Sequence, residues 1–157
     1  MATLKTNAAN KLGLAIDALL AQILAYEDLK NWAKNHFHRD INIIYGNRLT
    51  SEIKPQLLPA LVVEIGNGSL DAQDVGGGSS EYWRYELIMS LVWAESDPTK
   101  ALQQRVELTS ILPGAVHQDQ SVSNTLDSAT LIRVETDRGV NHPTQLLSCE
   151  IEIFYQT

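Results

Sequence analysis

Residues 81–95 read Glu81-Tyr82-Trp83-Arg84-Tyr85-Glu86-Leu87-Ile88-Met89-Ser90-Leu91-Val92-Trp93-Ala94-Glu95. Trp83, Tyr85, Leu87, Met89, Leu91 and Trp93 recur at every second position, with Arg84, Glu86, Ile88, Ser90 and Val92 between them. Side chains on an extended backbone alternate between its two sides, so this stretch predicts a strand with one wholly apolar face. Thirteen residues of strand span roughly 43 Å. A compact chain of this length is only about 40 Å across. The strand must therefore cross the whole fold, curl, or project from it.

Upstream, the segment leading into the strand contains Gly66, Gly68 and the run Gly76-Gly77-Gly78-Ser79-Ser80. Its composition predicts a flexible surface loop over residues 66–80. Before that, Leu61 to Ile65 and Ile41 to Tyr45 read as short strands. The chain opens with an amphipathic helix in which Leu12, Ile16, Leu19, Leu20, Ile23 and Leu24 recur at spacings of three and four, continuing weakly to about Lys34. Downstream, Asp97-Pro98 is a helix start. Asp is a favoured N-cap, and Pro at the first helical position removes a donor that has no intrahelical partner. Ala101, Leu102, Val106, Thr109 and Ile111 supply its expected apolar stripe, and Leu112-Pro113-Gly114 its expected end.

Two closing strands complete the chain. In Thr130 to Thr136, Ile132 and Val134 alternate with Arg133 and Glu135; in the last, Leu147, Cys149, Ile151, Ile153 and Tyr155 oppose Ser148, Glu150 and Glu152. The element order α-β-β-β-α-β-β lacks a regular βαβ alternation. It predicts an α+β fold, a mostly antiparallel sheet with helices packed on one face, in a single domain over residues 1–157.

Composition narrows the function. The 157 residues carry a formal charge of −7. Nonspecific nucleic-acid binding needs clustered Lys and Arg, and the twelve present are scattered. Cys149 is the only cysteine, which excludes an internal disulfide framework; at an apolar-phase position it reads as a small core residue. No apolar run approaches the roughly 20 residues that span a bilayer. The first residues lack signal-peptide character, which predicts synthesis and folding in a cytoplasm.

Four features bear on chemistry. His36-Phe37-His38-Arg39-Asp40 places two histidines and a carboxylate close together, a partial zinc-ligand set, but the same residues suit a helix end. The Gly76 to Ser80 run leads into a strand with no following Lys, which is the wrong context for phosphate binding. Glu150 and Glu152 share the polar side of a strand, where a solvated face outweighs an acid–base pair. No Ser-His-Asp arrangement or Gly-x-Ser-x-Gly motif is present. Trp83 and Trp93 mark the two ends of the long strand in one phase. A small domain cannot easily bury both, so they and residues Gly76, Gly77, Gly78, Ser79 and Ser80 form the candidate interface.

The order of these elements resembles the bacteriophage tail-terminator (tail-completion) family. The resemblance rests on the amphipathic first helix, Leu58-Pro59-Ala60-Leu61-Val62-Val63-Glu64, the polar loop, the long strand ending Trp93-Ala94-Glu95, the helix opened by Asp97-Pro98, and two closing strands. It implies a subunit of a ring, hexameric in that family, that sits on the last ring of tail-tube protein. Such a ring stops tube growth and meets a neck or connector protein in the virion, with DNA passing through its lumen without specific binding. It implies no catalytic residue, cofactor or metal. Another head–tail connector or neck adaptor is the nearest alternative. A small metal-dependent enzyme using His36 and His38 is the alternative from a different class.

Overall fold

The structure is a computed structural model that describes residues 11–46, 50–75, 78–122 and 126–156. Its elements are α1 (Lys11–Ala25), α2 (Glu27–Phe37), β1 (Asn42–Tyr45), two short 3-10 turns at Thr50–Glu52 and Pro55–Leu57, β2 (Ala60–Val75), β3 (Gly78–Ala94), α3 (Pro98–His117), β4 (Ser128–Thr136) and β5 (Thr144–Gln156). One five-stranded sheet runs in the order β1-β2-β3-β5-β4. β1 is parallel to β2, and every other pairing is antiparallel. The expected class and element order hold, with the first helix divided in two at Tyr26.

The alternation of β3 sets the layers. Leu87, Met89, Leu91 and Trp93 are buried in one cluster with Leu147, Cys149, Ile151 and Ile153 of β5. Ile16, Leu19, Leu20 and Ile23 of α1, Leu29 and Trp32 of α2, and Leu108 and Leu112 of α3 close over them. Among the described residues, the opposite face of the sheet is covered at one end, where Ile53 and Leu58, each just after a 3-10 turn, pack with Ala60, Val62 and Val92. Elsewhere that face carries ion pairs, Arg133 with Glu150 at 2.8 Å and Arg84 with Glu152 at 3.9 Å.

Four expectations change. Residues 66–75 and 78–80 belong to β2 and β3 and are not a loop; Gly76 and Gly77 lie outside the described residues. Gly66-Asn67-Gly68 bulges the strand where it was expected to end. Ile65 pairs with Leu87 and Gly68 with Tyr85, so two residues face Glu86 alone. Glycine inside a strand often marks such a bulge or a close approach. A Cβ on Gly68 would lie 2.7 Å from the Tyr85 ring.

The third change concerns α3, which continues through Pro113 to His117. Proline removes one helical hydrogen bond, but Pro113 is exposed and water can reach the freed carbonyl. Leu112, Ala115 and Val116 on either side are fully buried and hold the helix on course. Gly114 lets the helix approach Tyr26, whose hydroxyl would lie 2.5 Å from an added Cβ. The stripe is also rephased. Leu102 and Val106 are 56% and 58% exposed, whereas Ala101, Gln104, Leu108 and Leu112 face the core.

Finally, β4 carries a bulge at Ile132, between the pairs Leu131–Ile151 and Arg133–Glu150. The bulge turns Ile132 out, leaving it 52% exposed, while Ala129 is buried and Leu131 and Val134 pack against the core. Simple alternation cannot anticipate this, because one extra residue reverses the phase of everything after it.

Candidate interaction arm

β2 and β3 pair from Ala60–Val92 outward to Val75–Gly78. The strands on either side stop earlier. β1 accompanies β2 only to Val63, and β5 accompanies β3 only to Tyr82. Among the described residues, the sheet beyond Tyr82 is a two-stranded arm. With 17 residues, a fully extended β3 would span about 56 Å, more than the width of about 40 Å for a compact chain of this length.

At the base of the arm, Trp83 stacks on Tyr85 with ring centroids 5.7 Å apart and planes at 16°. Both rings are half-buried, continue the apolar face of β3 and pack against the margin of the main core. Ile65, opposite Leu87, is 40% exposed beside them. Gly68 faces Tyr85 across the ladder, and its missing side chain makes room for that ring. On the other side of the sheet the Arg84 guanidinium lies 5.9 Å above the Phe154 ring. The arm base therefore presents an aromatic shelf on one side and a charged, aromatic-backed surface on the other.

Trp93, at the opposite end of β3, has no exposed surface. Its indole N–H donates to Gln104 Oε1 at 2.8 Å, and its ring meets Trp32 edge-on at 5.5 Å. A residue with nothing exposed offers nothing to another chain, so Trp93 is a core residue and leaves the candidate interface. Gln104 escapes a reading of the sequence because a glutamine breaks an apolar stripe; only the buried indole donor explains it. Gly78, Ser79 and Ser80 lie on β3 near the far end of the arm.

The other chemical candidates are dispersed by the fold. His36 points to α3 and forms a 2.7 Å contact with Glu107 Oε2. His38 is exposed, adopts a left-handed φ of 57°, and ends α2 by donating its backbone N–H to the Lys34 carbonyl. Arg39 Nη1 donates to the carbonyls of Gln56 and Leu58. Among the described residues no three His, Cys, Asp or Glu side chains gather as a metal site. Glu150 and Glu152 each face an arginine. Cys149 is 1% exposed, and burial pushes its thiol pKa up to about 12, which removes the thiolate a nucleophile needs. Among the described residues, no helix is long and apolar enough to cross a membrane.

No protein-family model matches the sequence, and no curated protein matches it either. Among solved structures, the chain is similar to one from "Virion of native gene transfer agent (GTA) particle". The two are 10% identical, with a TM-score of 0.47 over 88% of this chain and 92% of that one. A likeness of this size does not identify a function.

Proposed function

We propose that the chain is a structural subunit of a phage-type tail: a ring-forming terminator that caps the tail tube, halts its growth and joins it to a neck or connector protein. The observation that carries the reading is the β2–β3 arm. A strand pair that outruns its neighbours exposes an aromatic shelf and backbone groups that a monomer leaves unused. Closed rings cover such surfaces by repeating one contact around an axis. Apart from the polar loop, whose described residues are strand, and the first helix, which is divided in two, the elements follow each other in the order that carries the family resemblance, which supports this role. In this reading the ring acts through shape and interfaces, and DNA passes through without specific recognition. The chain's acidic balance disfavours adhesion of phosphate to it.

The test is the native mass of the purified chain across concentration, with and without a phage tail-tube protein, followed by negative-stain imaging. The expected result is a ring-sized mass and six-fold rings on tube ends. A chain that stays monomeric with tube protein at high concentration would sink the proposal. Binding to a portal complex in place of the tube would reassign it to a neck adaptor.

A further inference from the structure

The two outer edges of the sheet are treated differently by the fold. On β4, two backbone N–H groups ahead of the bulge that face away from β5 are taken. Ala129 N donates to the Gln120 carbonyl at 2.8 Å, and Leu131 N donates to His117 Nε2 at 3.0 Å. The bulge at Ile132 then interrupts the edge. Capped donors and a bulge are the usual means of keeping another strand from adding to a sheet. Among the described residues, β2 is guarded at its start. Gly46 N donates to the Val63 carbonyl at 2.8 Å, just after the four-residue pairing with β1. Ile65 N is held by Glu64 Oε1 at 2.9 Å.

Past the bulge the protection stops. Gly68, Leu70, Ala72 and Asp74 lie opposite Tyr85, Trp83, Glu81 and Ser79. In an antiparallel ladder the residues whose backbone groups bond across the pair alternate with those whose groups point away. The outward set on β2 is fixed by Val63 and Ile65, whose backbone groups face away from β3. Stepping through the bulge, that set continues at Gly68, Leu70, Ala72 and Asp74. Among the described residues no strand lies on that side of them. From Gly68 to Asp74 the open edge is about 20 Å long, room for a strand of about seven residues.

The charge of this region selects the occupant. Between residues 60 and 83 the chain carries Glu64, Asp71, Asp74 and Glu81 and no Lys or Arg. A second copy of the same edge would bring like charges together, which disfavours arm-to-arm pairing. We propose that the β2 edge from Gly68 to Asp74 is a docking strand for an extended segment of a partner protein that bears lysine or arginine, added beside β2 as a sixth strand. Backbone hydrogen bonds supply the affinity, and the acidic arm supplies the preference for a cationic segment. The inference rests on the assembly reading only in taking the partner to be another structural subunit.

The experiment measures amide hydrogen exchange of the full chain with and without a nine-residue peptide of alternating lysine and threonine. Protection at Gly68, Leu70, Ala72 and Asp74 is expected to rise about tenfold at a peptide concentration ten times its Kd. The glutamate-for-lysine peptide is expected to leave it unchanged. Ala72→Pro removes one outward donor and places a residue that edge strands tolerate; it is expected to abolish the protection with the circular dichroism preserved. Should that variant misfold, Asp71→Lys with Asp74→Lys keeps the backbone edge and is expected to weaken peptide binding. No protection, equal protection by both peptides, or protection that rises with protein concentration alone overturns the proposal. A monomer that still gains the protection counts against the ring and leaves the docking edge standing. A ring that forms without it does the reverse.

Discussion

Two tryptophans stand in the same phase on β3, one at its C-terminal end and one at the base of the arm, and they meet opposite fates. Trp93 lies beneath α2 and α3, fully buried, with its N–H satisfied by Gln104 and its ring against Trp32. Trp83 lies ten residues away on the same face, half-buried, and stacks on Tyr85 at the base of the arm. The strand is continuous between them; their burial is not. A tryptophan becomes core or contact surface according to what is packed above it, and the strand pattern is blind to that difference.

The largest expected effect breaks the comparison at its buried end. Trp93→Ala should cost about 3–5 kcal/mol in urea unfolding, the range for truncating a large buried aromatic. Trp83→Ala should cost under about 1.5 kcal/mol in stability, since its ring is only half-buried. It should weaken ring formation or tube capping instead, measured by sedimentation. Equal stability losses at both positions would show that the arm is as deeply embedded as the core. Next in size, Gln104→Leu should cost about 1–3 kcal/mol by stranding the Trp93 donor in the core. Pairing it with Trp93→Phe should recover much of that loss, because no donor is then left unpaired.

At the junction of α3 with α2, Gly114→Ala should destabilise by about 1–3 kcal/mol through the clash with the Tyr26 hydroxyl. Tyr26→Phe should relieve it, a rescue that thermal unfolding of the double variant would reveal. The smallest effect is one of pH. Tyr45 is raised from 10.0 to about 12, first by burial and then by its 2.8 Å hydrogen bond to Asp17 and that carboxylate's charge. The folded state therefore holds this proton after the unfolded chain has released it. The resulting stability is complete below pH 10 and is lost as pH rises toward 12. Tyr45→Phe should flatten part of the alkaline decline in denaturation midpoint between those values; an unchanged slope would show that the α1–β1 contact contributes nothing there.

Much of the fold was legible because its signals are local. The β3 and β5 alternations each place four residues in the core, in the phase that their spacing predicts. Asp97 caps α3 by accepting from Thr99 N and Lys100 N, as its position before Pro98 implied. The misreadings share another character. Gly66 to Ser80 looked like a loop because glycine and serine have little intrinsic preference for strand. β3 supplies a partner whose ladder the segment completes despite its composition. Pro113 looked like a stop, and buried neighbours on both sides override it. Leu102 and Val106 looked like core, while the polar Gln104 took an inward place because a buried indole needed an acceptor. The candidate interface was half-legible: strand length pointed to the arm, but only burial in the folded chain separated Trp83 from Trp93.

The chain's own order of residues established the α+β class, the long strand and its apolar face, and the cap that starts α3, since all arise from spacing and from backbone chemistry within a few residues. Tertiary structure alone decided that residues 66–75 are strand, that Trp93 is sealed and Trp83 half-open, and that β4 is capped at Ala129 and Leu131 while, among the described residues, no strand lies beside β2 past its bulge. Those outcomes depend on which distant element supplies a hydrogen-bond partner or a covering side chain, and such partners have no imprint on local periodicity.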